Sequence, residues 1–258
     1  MAITHAHVTF ILEAAAQGHL PQASHAMLEF GEQNWYGDVA VGELPRIAAF
    51  FGRDPAFVEW VGQQSLLLGG RERRFDVAKL FYQIVFGIRE YLAVDLHGTS
   101  ASMKHDLNIP IELPRQFDLT TNFGTAEHIF NQAQFFKTMH EATTSGGLMF
   151  HSLPNQGCYD HGFYNYHPTF IFDLAEANSY KLLMFSYLDG TERPGKLVPI
   201  TSRESYIRIA VEERLARYSG LMFLARKTSA APFVFPQQAF YSDSLSPDLA
   251  TAWREMDR

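Results

Sequence analysis

The sequence predicts an α/β protein with a mostly parallel sheet covered by helices on both faces. Three observations carry that expectation. Short apolar runs recur along the chain, separated by stretches with apolar residues at helical spacing, which is the rhythm of strand–helix–strand units. The chain has 258 residues, 47% of them hydrophobic, enough for one substantial core, or a core with an added helical cap, and too few for several domains. Most of its chemically suggestive residues fall at or just after the end of an apolar run, where open α/β sheets bind ligands.

The first element is an amphipathic helix from Ala6 to Gly18, with Val8, Ile11, Leu12 and Ala15 on one face. After a Gly-His-Leu-Pro break, Ala26 to Phe30 is the first strand, ended by Gly31. Two short helices follow, Leu44 to Phe51 and Pro55 to Leu68, parted by Gly52-Arg53-Asp54, and a stronger helix covers Val77 to Tyr91. Tyr91 to Asp95 and the weaker Ser102 to Asp106 are the second and third strands, each ending in an acid. Gln116 to Thr121 is the fourth and leads into Asn122-Phe123-Gly124. A helix from Glu127 to Thr143 then places Ile129, Ala133 and Phe136 on one face. Gly146-Gly147 opens the fifth strand, Leu148 to Leu153, which Pro154 stops. Pro168 suits the first helical position of a helix running to Asn178. Strand Leu182 to Tyr187, a Pro- and Gly-rich excursion from Asp189 to Pro199, an amphipathic stretch and strand Leu221 to Ala225 complete the core. A last helix is expected from Pro247 to Met256.

Composition narrows the partners. The net charge is −7, and the only tight basic group, Arg71, Arg73 and Arg74 interrupted by Glu72, reads as a solvated helix start. No nucleic-acid partner is expected, because phosphate binding needs concentrated Lys and Arg. Cys158 is the only cysteine, which rules out an intrachain disulfide and fits a reducing cytoplasm. The opening MAITHAHVTF lacks the basic segment and cleavage site of a signal peptide. No apolar run approaches the ~20 residues a bilayer span requires. A small-molecule substrate is expected, with no membrane partner, on a monomer or homodimer.

Several residues suggest chemistry. Asp95, at the end of the second strand, is placed to accept from the two ribose hydroxyls of an adenosine. Asp106, after the third, is placed to accept from the exocyclic amine of an adenine. The plain alternative is that Asp is common where strands become loops. The segment Leu28-Glu29-Phe30-Gly31-Glu32-Gln33-Asn34 has one glycine and two acids, not the G-x-G-x-x-G that brings a pyrophosphate onto a helix N-terminus. Its acids would repel a pyrophosphate and suit an ammonium group. Glu127 and His128, at a helix start, read either as an acid/base pair over a ligand or as first-turn chemistry, with Thr125 as N-cap and Glu127 favoured by the helix dipole.

His151, Tyr159, His161, Tyr164, Tyr166 and His167 gather at and after the fifth strand. With no His-x-x-x-His on a helix and no cysteine pair, no metal is expected. An aromatic cage for a soft cation fits them, each ring face contributing about 0.5–2 kcal/mol. An aromatic loop with satisfied hydroxyls fits them equally. Cys158 is not expected to act as a nucleophile, since a neighbouring His-rich loop does not establish a base in reach.

The strings LEFGEQ, AVDLHG, KHDLN, FDLTTNFGTAEHIFNQ and DHGFYNYHP resemble a bacterial group of class I S-adenosylmethionine (SAM)-dependent methyltransferases, over about Met27 to Tyr187. NFGT-x-EH and HGFYNYHP are the specific parts, whereas the single glycine after the first strand departs from the wider superfamily's G-x-G-x-G. The resemblance implies a Rossmann-like, seven-stranded sheet and a single SAM-binding domain over 1–258. The N-terminal helix and residues 34–75 would form its lid. It also implies SAM as cofactor, with Glu29, Gly31 and Gln33 at the methionine end and Asp95 and Leu96 at the ribose. Asp106 and Leu107 would meet the adenine, and Asn122 and Phe123 would sit at the fourth-strand tip beside the reacting carbon.

Methyl transfer to a small-molecule acceptor is the expected reaction, driven by alignment of acceptor, methyl carbon and sulfur, with His128, His161 or His151 taking the acceptor's proton. Part of the same sequence neighbourhood is similar to azetidine-2-carboxylate synthases, in which the amine of SAM attacks its own γ-carbon and methylthioadenosine leaves. For that reaction Asn122, Tyr159 and Ser186, at or past the ends of strands four, five and six, would bind the amine and face the sulfonium. A non-catalytic SAM-binding module is the third alternative.

Overall fold

A computed structural model describes residues 2–20, 26–68, 73–191, 194–212, 215–241 and 245–255. Arg71 and Glu72 of the basic group lie outside them.

Nine strands and eight α-helices alternate along the described chain. The strands are β1 (Ala2–Ile3), β2 (Ala26–Phe30), β3 (Asn34–Trp35), β4 (Glu90–Val94), β5 (Phe117–Phe123), β6 (Thr143–Gln156), β7 (Tyr180–Asp189), β8 (Lys196–Pro199) and β9 (Ser219–Lys227). The helices are α1 (His5–Ala16), α2 (Leu44–Phe50), α3 (Pro55–Leu67), α4 (Arg74–Phe86), α5 (Gln132–Ala142), α6 (Pro168–Ala177), α7 (Arg203–Glu212) and α8 (Pro247–Glu255). Seven strands form one sheet in the order β4-β2-β5-β6-β9-β7-β8. The β4, β2, β5 and β6 neighbours pair in parallel, and the pairs made by β9, β7 and β8 are antiparallel. This is the α/β class and Rossmann-like sheet expected, mixed at one edge.

Alternation along the strands explains why both faces are covered. In β9, Met222 and Leu224 enter the cluster packed under α1 and α4, while Leu221, Phe223 and Ala225 enter the opposite cluster with α5, α6 and α7. A strand with apolar residues at every position has two faces to bury, so helices are required on each. Among the described residues no helix is long and apolar enough to cross a membrane.

Three boundaries differ from expectation, each for a local reason. Helix α4 stops at Phe86 because Gly87 takes the left-handed conformation (φ 61°) and its N–H bonds Gln83 O at 3.0 Å, which lets the chain re-enter as β4 at Glu90. The helix expected from Glu127 is a single 3₁₀ turn, Ala126–His128. The α-helix waits for Asn131, whose Oδ1 caps Gln134 N at 3.2 Å. Strand β6 runs through Gly146-Gly147 and past Pro154, since Pro154 sits opposite Gly220 beside a register shift.

The third strand is a correction. Ser102–Asp106 makes only one bridge, Met103 to Val94, and the seventh strand of the sheet is instead β8 at the opposite edge. Lys104, His105 and Asp106 offer no apolar alternation to bury, and Lys104 Nζ turns back to donate to Thr99 O at 2.7 Å.

The switch point lies between β2 and β5, where successive crossovers leave in opposite directions. Beyond it β1 pairs with β3, and His5 N donates to Asp38 Oδ1 at 2.9 Å. The start of α1 and the segment after β2 are thereby held together over the carboxyl ends of the sheet.

Candidate active site

A cleft of about 670 Å³ opens at the carboxyl ends of β5, β6 and β7. Its base is Phe123 and Gly124. One wall carries His7, Tyr36 and Arg74, and the other Glu127, His128, Cys158 and His161. Its size falls within the range of about 300–1,000 Å³ typical of small-molecule sites. A larger hollow of about 890 Å³ between α2 and α3 lines itself with Val41, Pro45, Val58 and Leu66 and holds one titratable group, Glu59.

The His7 wall is set by the cap of α1. Thr4 N donates to His7 Nδ1 at 3.2 Å, so Nε2 carries the proton of a neutral ring, and burial pushes the imidazole down to about 4. His7 packs on Phe123 with ring centroids 4.7 Å apart. Its Nε2 has no partner among the described residues, although the atom is buried. A buried donor without an acceptor is unfavourable unless a ligand or water supplies one.

The opposite wall is held by backbone contacts. Phe163 N donates to Glu127 O at 2.7 Å, and Gly162 approaches so closely that a Cβ there would lie 2.9 Å from the same carbonyl. That clamp is the physical sense of the His-Gly-Phe-Tyr string, because it sets His161 beside the Glu127 carboxylate. His161 Nε2 stands 3.6 Å and His128 Nε2 4.0 Å from Glu127 Oε1. Glu127 is only 2% exposed, Oε2 has no partner among the described residues, and burial raises the carboxyl to about 7. Burial, and secondarily the neighbouring His161, lowers the His128 imidazole. Cys158 lies in the same cleft with its thiol pushed up by burial, which disfavours the thiolate.

Other expected site residues fall elsewhere. Glu29 is fully buried, with Tyr82 and Tyr91 hydroxyls donating to its two oxygens and Gln33 N to Oε2 at 2.9 Å. Glu32 is likewise engaged, by Thr99 N at 2.6 Å and Lys79 Nζ at 3.1 Å. The acids after the first strand therefore tie α4 and the loop after β4 to β2, and neither is free to meet an ammonium. Gly31 has φ 80°, and its N–H bonds Val94 O at 2.8 Å. Gln33 donates to Gly31 O at 2.9 Å and leaves Oε1, buried, without a partner among the described residues.

Asp95 directly follows β4, half-buried, accepting Glu32 N at 2.9 Å and His97 N at 2.7 Å. Each oxygen keeps a further lone pair. Leu96 beside it is 55% exposed. Asp106 is exposed and turned back on Asn108, whose N–H it accepts at 2.9 Å, and that backbone bond, followed by the Asn108 side chain, lowers its carboxyl. Leu107 is buried in the α5 cluster. Leu107 shares that cluster with Phe30 at the end of β2 and Ala126 just after β5.

Asn122 is engaged by its neighbours. It is fully buried, its Oδ1 accepts Ala126 N at 3.0 Å, and its Nδ2 lies 3.2 Å from His151 Nδ1. It shapes the turn after β5 rather than facing the cleft. Its neighbour Phe123, on the other face of the strand, does the lining. Ser186 is three strands from Phe123, through Met222 and Ser152, and opens into a separate hollow with Glu13 and Gln17.

The aromatic cage does not assemble. Tyr164 and Tyr166 donate to Phe130 O at 2.9 Å and Gln132 Oε1 at 2.6 Å, and His151 stacks on Phe223 at 4.2 Å with burial holding it at about 3. His167 precedes α6 and lines another hollow, and of that cluster only His161 reaches the cleft. Tyr159 is 76% exposed and off the cleft wall. We expect Tyr159→Ala to leave turnover unchanged, and a large loss of kcat would show that the loop folds inward over substrate.

The ring faces that do line the cleft belong to Phe123, Tyr36 and Tyr218. His7, Tyr36 and Tyr218 carried no expectation from the sequence, and Arg74, expected in a solvated helix start, lines the cleft. A histidine on the buried face of an amphipathic helix was the one available signal for His7.

No family model matches the chain, and no curated relative matches it. Among solved structures it is similar to N-methyltransferase NodS from Bradyrhizobium japonicum, at 13% identity and TM-score 0.43, covering 86% of this chain and 94% of that one. A complex of NodS with S-adenosyl-L-homocysteine matches at 12% identity and TM-score 0.44, covering 86% and 85%. The 1,6-didemethyltoxoflavin-N1-methyltransferase of Burkholderia thailandensis, with bound 1,6-didemethyltoxoflavin and S-adenosylhomocysteine, matches at 13% identity and TM-score 0.42, covering 84% and 77%.

Proposed function

We propose that this chain is a SAM-dependent methyltransferase acting on a small-molecule acceptor. The observation that carries the reading is the cleft beside the switch point. It is lined by ring faces, with the unpartnered His7 Nε2 and the Arg74 guanidinium on one wall and a buried carboxylate with two imidazoles on the other. Such a division suits a zwitterionic donor and a polar acceptor meeting over an apolar base. Among the described residues Arg74 has no ion pair, so it and His7 are fitted to hold the methionine carboxylate. Gln33 Oε1, buried and next in sequence to the cleft-lining Asn34, is fitted to accept from the ammonium, and Asp95, which follows β4 outside the cleft lining, to accept from the ribose. The paired β1 and β3, with α1 and the described residues of 34–75 (34–68 and 73–75), would serve as the lid that keeps water from the reacting atoms.

SAM supplies an electrophilic methyl group. A lone pair of the acceptor's oxygen or nitrogen forms the new bond to the methyl carbon as the carbon–sulfur bond breaks. The electron pair leaves with sulfur in S-adenosylhomocysteine, and the acceptor's proton passes to the Glu127 wall. Phe123, Tyr36 and Tyr218 offer the sulfonium ring faces. The protein's main contribution is alignment.

The cyclising alternative relied on Asn122, Tyr159 and Ser186 converging, and they lie apart, so intermolecular transfer is the better-supported reaction. The deciding experiment incubates the purified chain with SAM, alone and with a panel of hydroxyl-, amine- and carboxylate-bearing metabolites, and follows the nucleoside released. S-adenosylhomocysteine appearing only with an acceptor supports the proposal. Methylthioadenosine from SAM alone means cyclisation, and tight SAM binding without turnover means a binding module. We expect Asp95→Ala to weaken SAM binding by about 100-fold, the effect of losing charged acceptors for two hydroxyls. Calorimetry showing unchanged affinity would remove Asp95 from the ribose site.

A further inference from the structure

We infer that Glu127, His128 and His161 form a binding site for a divalent transition-metal ion that opens into the cleft. One donor atom from each of the three lies within 4.8 Å of the other two. Tetrahedral arms of about 2.05 Å put donors about 3.3 Å apart, so the three need only a modest closure. The mobile partners are the imidazoles, with side chains 38% and 54% exposed, while the carboxylate is fixed at 2%.

A second observation points the same way. Glu127 Oε2 is buried without a donor, although the Phe163–Glu127 backbone bond and the Gly162 contact hold the residue in place. A carboxylate buried in that condition is unfavourable unless a cation or proton satisfies it. Two neutral imidazoles and one carboxylate form a donor set for zinc and its first-row neighbours, with a fourth position left for water or substrate. All three residues line the cleft.

The ion's role rests on the methyltransferase reading: it would hold the acceptor's oxygen or nitrogen at the wall from which its proton must leave. Ion binding itself does not depend on that reading. The full chain, stripped with a chelator and dialysed, is titrated with Co²⁺ and followed by its visible absorption, then with Zn²⁺ by competition. One equivalent is expected. His161→Ala, His128→Ala and Glu127→Gln should each weaken binding by at least about tenfold, as loss of a ligand requires. His97→Ala, an exposed histidine elsewhere, should leave it unchanged. No stoichiometric binding, or binding that survives both His128→Ala and His161→Ala, overturns the site. Methyl transfer at full rate by metal-free protein overturns the role. One-to-one binding without turnover on any acceptor leaves the site standing and the methyltransferase reading overturned.

Discussion

Glu127→Gln is expected to lower kcat for S-adenosylhomocysteine formation by about 100-fold or more, the usual effect of losing a group that takes the acceptor's proton. SAM affinity should be nearly untouched, because Glu127 comes from the turn after β5, whereas His7 and Arg74, fitted to the donor's carboxylate, come from α1 and α4. The substitution keeps size and shape while removing the negative charge, and with it the capacity to receive a proton or to ligate strongly. A split between kcat and SAM affinity therefore separates this role from a structural one. Turnover unchanged from wild type would put the acceptor elsewhere in the cleft and leave Glu127 as a member of its 3₁₀ turn.

The second large effect is on stability. Burial raises the Glu29 carboxyl from 4.5 to about 7, against the opposing hydrogen bonds from Tyr82, Tyr91 and Gln33. Its pKa is higher folded than unfolded, so the folded chain holds the proton more tightly. The stabilisation is therefore complete below pH 4.5 and lost as pH rises through about 7. Across that window the difference is roughly 3 kcal/mol. Urea unfolding of the wild type should thus show stability falling from pH 5 to pH 8 more steeply than in Glu29→Gln, whose amide does not titrate. Equal slopes would mean that Glu29 ionises normally despite its burial.

Much of the sheet was legible. Ala26–Phe30 coincides with its expected strand, and Pro168 starts α6 as its fixed φ and missing N–H allow. Those elements are set by local alternation and turn chemistry. The third strand was misjudged because an acid after a weakly apolar run looks alike whether it ends a strand or a turn. Only the absence of a paired neighbour beyond Met103 decides it.

The site was legible in part. Glu127, His128 and His161 were singled out as chemically suggestive, but as a helix start and an aromatic loop, not as one cluster. The strings around them carried the relevant signal, since Gly162 marks a close backbone approach. Glu29 and Tyr164 were also conspicuous, and each had its polar atoms consumed by distant neighbours that no spacing rule points to.

By itself the sequence determined that this chain buries both faces of a parallel-rich sheet and places its polar residues at strand ends, because those properties depend on neighbours a few residues away. Only the tertiary structure decided which of those polar groups meet a cavity. Tyr82 and Tyr91 reach Glu29 from α4 and β4, and Phe163 fastens His161 over Glu127 from beyond β6. A side chain's availability depends on who else is within hydrogen-bond distance, and for Glu29 and His161 it is long-range packing that sets this.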